Sequence, residues 1–93
     1  MEILKVKVKF YSKIRGTLPS LNYGYRPHFV VKGDGEYLGI QFLELDLTEN
    51  DAFGEAVVKF LYDNVGYYKL KEGVIFDIVE GSTIVGEGYV LEQ

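Results

Sequence analysis

From residue 2 to residue 11 the side chains alternate without interruption, with Leu4, Val6, Val8 and Phe10 on one side and Lys5, Lys7 and Lys9 on the other. A period of two is the mark of a strand with one dry face and one wet face. Coiled into a helix, the same residues would scatter lysines around the whole circumference. A strand also needs partners for its backbone N–H and C=O groups, so a chain containing this segment must build a sheet. The lysine row has two readings. Lysines on a strand discourage unwanted edge pairing, and together with Arg15 they offer a ladder of cations to a phosphate backbone.

The rest of the chain is punctuated for short strands. Residues 12–25 hold Gly16, Pro19, Ser20, Asn22 and Gly24 and form a long loop, of a length that is often functional in a compact domain. Pro27 to Lys32 reads as a strand with proline at its first position, where the missing N–H costs no ladder bond. Gly33-Asp34-Gly35 supplies positive-φ positions for a hairpin turn. Tyr37 to Leu47 is the return strand. Its alternation puts Leu38, Ile40 and Phe42 on one face and, carried on unbroken, Glu44 as well. Tyr37, Gln41, Leu43 and Leu45 lie on the other face, with Gly39 marking a bulge or a close approach. Further on, Lys71-Glu72-Gly73 and Glu80-Gly81-Ser82 are turns around a strand from Val74 to Val79, in which Val74, Phe76 and Ile78 oppose Ile75, Asp77 and Val79. Thr83 to Leu91 is the last strand, interrupted by Gly86 and Gly88.

Residues 48–64 are ambiguous. Thr48 with Asp51 has the form of a capping box, and Ala52, Phe53, Ala56, Val57, Phe60 and Leu61 recur at helical spacing. A strand instead places Ala56, Val58, Phe60 and Tyr62 on one face, and Gly54 weakens a helix by about 1 kcal/mol relative to alanine.

Composition narrows the function classes. The 93 residues suit one domain, expected over 1–93, and a 47% apolar share with two prolines argues against disorder. Eight tyrosines and six phenylalanines with no tryptophan favour strands. No apolar run approaches the ~20 residues of a membrane span, so no membrane partner is expected. Absence of cysteine removes disulfides and thiol chemistry and suits a cytoplasmic location. The net charge of −4 argues against a nucleic-acid binder. The chain is nevertheless polarised, with cations crowded into the first fifteen residues and acids dominating from Glu36 to Asp63.

Chemistry-bearing patterns are sparse. His28 is the only histidine, and no nucleophile-elbow pattern surrounds Ser12, Ser20 or Ser82. Glu44, Asp46, Glu49 and Asp51 fit no EF-hand spacing and read as a solvated acidic edge. Gly33-Asp34-Gly35 and Gly86-Glu87-Gly88 carry acids where an anion would approach, so they are not phosphate cradles. No catalytic residue, metal or cofactor is expected. Arg26, between Tyr25 and Pro27 where loop becomes strand, is the most informative residue. It either forms an internal ion pair with Glu80 or meets a partner.

Two stretches resemble the third, C-terminal domain of bacterial elongation factor Tu. Gly24-Tyr25-Arg26-Pro27-His28-Phe29 is similar to a Gly-Tyr-Arg-Pro-Gln-Phe segment of that family. Gly73-Val74-Ile75-Phe76-Asp77-Ile78-Val79-Glu80-Gly81, followed by Val85-Gly86-Glu87-Gly88 and Val90, is similar to its Gly-x-x-Phe-x-Ile-x-Glu-Gly and Val-Gly-x-Gly pattern. The resemblance implies a six-stranded antiparallel Greek-key β-barrel, all-β, in which 55–63 is a strand. In the intact factor this domain packs on a GTPase domain, meets the nucleotide-exchange factor and helps hold the T stem of aminoacyl-tRNA. This chain has no Gly-x-x-x-x-Gly-Lys-Ser/Thr loop, hence no GTPase. Ser82-Thr83-Ile84 stands where the family carries a basic residue, and Glu87 replaces a small one; the first change removes positive charge where phosphate would sit and the second adds negative charge beside the matched turn. The family's Arg-His-Thr stretch corresponds only loosely to Arg15-Gly16-Thr17.

These readings combine into one set of expectations. Six strands are expected near 2–11, 26–32, 37–46, 55–63, 73–79 and 83–91. The function expected is non-catalytic protein binding, related to translation or of an inhibitor or immunity type, with self-association open because a free-standing copy leaves its interdomain face bare. Candidate contact residues are Tyr23, Tyr25, Arg26, His28, Glu80 and Glu87, with the 12–26 loop and the 80–88 turn contributing to the contact surface. The alternative is a tRNA-stem binder using Lys5, Lys7, Lys9 and Arg15. A small enzyme is the remaining reading.

Overall fold

A computed structural model describes residues 3–63 and 65–92. Six strands are present: β1 (Ile3–Phe10), β2 (His28–Val31), β3 (Leu38–Asp46), β4 (Gly54–Phe60), β5 (Ile75–Glu80) and β6 (Thr83–Glu92). All pairings are antiparallel, and the strands close into a ring in the order β1-β4-β3-β2-β5-β6. The fold is all-β, as the alternation and the turn chemistry predict. The expected start of the first strand at Glu2 lies outside the described residues.

Closure changes the meaning of the lysine row. β1 pairs β4 on one side and β6 on the other, so it has no free edge to protect. Lys5, Lys7 and Lys9 line the outer face, while Leu4, Val6, Val8 and Phe10 point into the ring and are buried. The interior is filled mainly by Phe10, Phe29, Phe42 and Phe76 with Leu38, Ile40, Val58, Ile78 and Val90. Phe29 and Phe76 stack at 3.9 Å, and Phe42 meets Phe29 edge-on at 6.0 Å. Burying four phenylalanines at ~2 kcal/mol or more each supplies a large share of what holds so small a domain together.

Two glycines make the closure feasible. A Cβ on Gly86 would sit 2.3 Å from the Lys9 carbonyl oxygen, and one on Gly88 2.4 Å from that of Lys7 and 2.8 Å from the Phe76 ring. They do not interrupt β6, which runs through both. They let it lie against β1 with the Phe76 ring pressed on the backbone.

Bulges reset the alternation in two strands. In β3 the register shifts between Phe42 and Glu44, so Glu44 turns outward and Leu45 packs against the core. The inward face therefore does not continue to Glu44, as unbroken alternation would have it. In β5 a shift between Ile78 and Val79 buries both residues. A bulge puts two residues opposite one, which a sequence period cannot announce. Gly39 marks a close approach, since a Cβ there would lie 2.5 Å from the Tyr62 ring.

The ambiguous stretch resolves into a loop and a strand. Asp51 has φ 65°, its N–H bonds the Phe10 carbonyl at 2.8 Å, and its carboxylate accepts from the Ser12 N–H at 3.1 Å. A left-handed residue tied to β1 cannot be the third residue of a helix. Gly54 then starts β4, where a Cβ would meet the Asp46 carbonyl oxygen at 2.3 Å. β4 ends at Phe60, short of the expected 63, and Tyr62 leaves the inner face. After it comes a 3-10 turn (Tyr67–Lys69) whose Tyr67 is buried against Phe60, their rings parallel at 4.1 Å. The Tyr67 hydroxyl donates to the Gly39 carbonyl and accepts from the N–H groups of Leu61 (3.2 Å) and Tyr62 (3.3 Å). That uses its full hydrogen-bonding capacity. Lys69 reaches Asp34 (2.8 Å) and Glu36 (2.7 Å), joining the turn to the β2–β3 hairpin.

Candidate functional site

The segment 23–28 contributes residues to both sides of the sheet. Ladder bonds continue beyond β2, with Ile40 N–H to the Pro27 carbonyl (3.2 Å) and Phe42 N–H to the Tyr25 carbonyl (3.0 Å). Extended backbone alternates, so Tyr25 and Phe29 turn inward while Arg26 and His28 turn outward.

Tyr25 is half-buried and packs against the interior. Its ring lies 6.1 Å from Phe10 and 5.3 Å from Phe42, and its hydroxyl donates to Glu80 Oε2 at 2.5 Å. Arg15 Nε donates to the same oxygen at 2.8 Å, its guanidinium stands 5.4 Å from the Tyr25 ring centroid, and its Nη1 bonds the Thr17 carbonyl. Burial, reinforced by Glu80, pushes the Tyr25 hydroxyl well above its usual range, so it stays protonated as a donor. Burial alone would raise Glu80, but the hydrogen bonds from Tyr25 and Arg15 outweigh it and hold the carboxyl below its ordinary value of 4.5. The internal ion pair expected for Glu80 therefore exists with Arg15 in place of Arg26. Arg26 faces the wrong way to reach it.

Glu87 is likewise engaged. It accepts from the Tyr11 hydroxyl at 3.0 Å and lies 3.5 Å from Lys9 Nζ. Burial and the adjoining carboxylate raise Tyr11 to about 12. Lys9 also sits 4.9 Å from the Phe53 ring centroid. Of the sequence-nominated contact residues, Tyr25, Glu80 and Glu87 thus have partners within the fold, while Gly81, Ser82, Thr83 and Ile84 of the 80–88 turn stay exposed. Among the cations, Arg15 and Lys9 are paired. Lys7 stands directly opposite Glu55, and Lys5 shares a shallow open groove with Glu44, Asp46 and Glu55.

Open side chains of the nominated type gather on the outer face of β2 and β3. Arg26 is exposed and bonds Gln41 Oε1 at 3.3 Å. His28 pairs with Gly39 across the ladder and turns its ring toward Tyr37, centroids 5.4 Å apart. The Tyr62 ring covers the bare backbone of Gly39. Tyr62 is 60% exposed and Tyr37 48%, two open rings beside one imidazole with one arginine a row away, and Tyr23, in the preceding turn, is 95% exposed. Tyr37, Tyr62 and Lys59, which follows Gln41 across the next ladder, were not candidates from sequence. Register brings them in, and no local pattern marks them.

Chemically the face can stack, donate hydrogen bonds and pair with anions. Among the described residues no carboxylate or hydroxyl orients His28, and no group of three or more histidine, aspartate or glutamate side chains is placed to hold a metal. Among the same residues no helix is long and apolar enough to cross a membrane. Compared with protein-family models and with curated proteins, the sequence matches none.

Proposed function

We propose that this chain is a non-catalytic protein-binding module, built like the third domain of elongation factor Tu and engaging a partner through the outer β2–β3 face. One observation carries the reading. Tyr37 stands open beside His28, Tyr62 over its ladder partner Gly39, and Arg26 one row along, with Tyr23 open in the loop just before; Tyr and Arg are the residues that dominate interface energetics. The strand order supports the architectural part. The meander β2-β3-β4 is followed by β5 returning beside β2, the arrangement of a Greek key. Against tRNA binding, two of the four nominated cations, Lys9 and Arg15, already have carboxylate partners. Unpaired cations are what give phosphate affinity.

Co-purification with the tagged protein tests the reading. The expected result is one protein recovered in stoichiometric amount, resistant to nuclease, with Arg26→Ala or Tyr23→Ala weakening its binding by about 1–3 kcal/mol. Salt-labile recovery of tRNA, unaffected by Arg26→Ala, would contradict it.

A further inference from the structure

The β2–β3–β4 face carries two cations and a set of exposed rings together. Arg26 lies opposite Gln41 by continuation of the ladder, and Gln41 pairs with Lys59. The three form one outer row across three strands, its two cations set ~10 Å apart at the backbone by two interstrand spacings. Among the described residues neither cation meets a carboxylate. By contrast, Lys9, Arg15, Lys32 and Lys69 each have an acid within 2.7–3.5 Å. Lys5 and Lys7 stand among Glu44, Asp46 and Glu55, Lys13 lies close enough to lower Asp51, and Lys71 is exposed on the turn before β5. In a chain with 14 acidic residues and a net charge of −4, this row sets two cations side by side with no carboxylate partner for either among the described residues. The next row along is His28, Gly39 under the Tyr62 ring, and Tyr37.

We propose that this face takes an extended acidic segment of a partner protein, its carboxylates on Arg26 and Lys59 and its backbone laid over Tyr62 and Tyr37. The inference rests on the protein-binding reading and names the chemistry of the occupant. Arginine holds a carboxylate in two-pronged fashion. Carboxylates three residues apart in a polyproline-II chain fall on one side at ~9 Å, close to the spacing of the two cations. Exposed aromatic rings are the usual floor for such a chain. A nucleic acid fits less well. Exposed Asp63 follows Tyr62, Glu36 precedes Tyr37, and a polyanion longer than the cation row would run onto both.

The test is fluorescence anisotropy with a labelled Glu-Pro-Pro repeat peptide, its Gln-Pro-Pro counterpart and an oligothymidylate, at low and at physiological ionic strength. The expected result is that the glutamate peptide binds in preference to the other two probes. Arg26→Gln with Lys59→Gln should weaken it by roughly tenfold or more, while Lys5→Gln with Lys7→Gln changes it by less than about twofold. Melting of each variant beside the parent shows that the fold survives. Equal loss with either pair of substitutions, equal binding of the glutamine peptide, tighter binding of the oligothymidylate, or no binding of the glutamate peptide overturns the proposal. So does concentration-dependent self-association that the double variant abolishes, since a second copy would then be the occupant. Failure here, with Arg26→Ala still costing the co-purified partner, rejects only the acidic chemistry. Failure of both rejects the protein-binding reading too.

Discussion

Tyr25 and Arg26 are neighbours in the chain, yet they work on opposite sides of it. The tyrosine ring is set between Phe10 and Phe42 and its hydroxyl is locked onto Glu80. The arginine lies exposed over Gln41 with one long hydrogen bond. Both belong to the residue types that anchor interfaces, and they sit in one motif, so a sequence reading treats them alike. The ladder separates them, because extended backbone sends successive side chains to opposite faces. Residue type alone therefore does not distinguish an anchor of the fold from an anchor for a partner. Register does.

The inner half of this comparison should be costly to disturb. Tyr25→Ala removes an aromatic ring from the core and leaves Glu80 with Arg15 alone, so about 3 kcal/mol of stability should be lost in urea denaturation. A loss under about 1 kcal/mol would place Tyr25 with the outer face after all. Tyr67→Phe is the next largest. Without the hydroxyl, the Gly39 carbonyl and the Tyr62 N–H lose a partner beneath the outer face, and we expect about 1–2 kcal/mol. An unchanged urea midpoint would mean that water replaces the hydroxyl.

The Glu80 node also carries a pH signature. Its carboxyl is held below 4.5 when folded, so its contribution is complete above pH 4.5 and drains away as pH falls through the depressed value. Glu80→Gln should therefore be less stable than the parent at neutral pH, with the gap closing below about pH 4.5. A gap that stays constant through acid would show that the node does not titrate. Smaller still is Gly39→Ala. The added methyl would press on the Tyr62 ring, the far end of an exposed side chain that can swing away, so stability should change by less than about 1 kcal/mol. The same substitution should alter the near-ultraviolet circular dichroism by moving that ring. An unchanged spectrum would count against the ring resting on Gly39.

Much of the architecture was legible because it rests on short-range rules. Alternation over 4–10 located the inner face of β1, and Gly33, Gly35, Gly73 and Gly81 all have the positive φ their turns require. Residues 49–63 were divided between helix and strand because apolar spacing fits both. Asp51 decides the matter through a long-range bond to Phe10. The bulges at Phe42/Glu44 and Ile78/Val79 leave no local trace, which is why unbroken alternation does not give the face of Glu44. The candidate site was legible only in part. Tyr23, Arg26 and His28 can be nominated from their types and their place near the loop-to-strand junction. Tyr37, Tyr62 and Lys59 enter through cross-strand neighbours that only the closed ring defines. Glu80 was expected to have an arginine partner, but that arginine is Arg15, 65 residues away in sequence and brought close by the β1–β6 pairing.

The smallest expected effect is the most telling. Arg26→Ala, measured by urea denaturation beside Tyr25→Ala, tests directly whether the outer face is free for a partner. Its stability should stay within about 0.5 kcal/mol of the parent, as befits an exposed side chain that holds no ion pair. A loss above about 1 kcal/mol, falling in step with Tyr25→Ala, would show that Arg26 is part of the scaffold and that this face is not the binding surface.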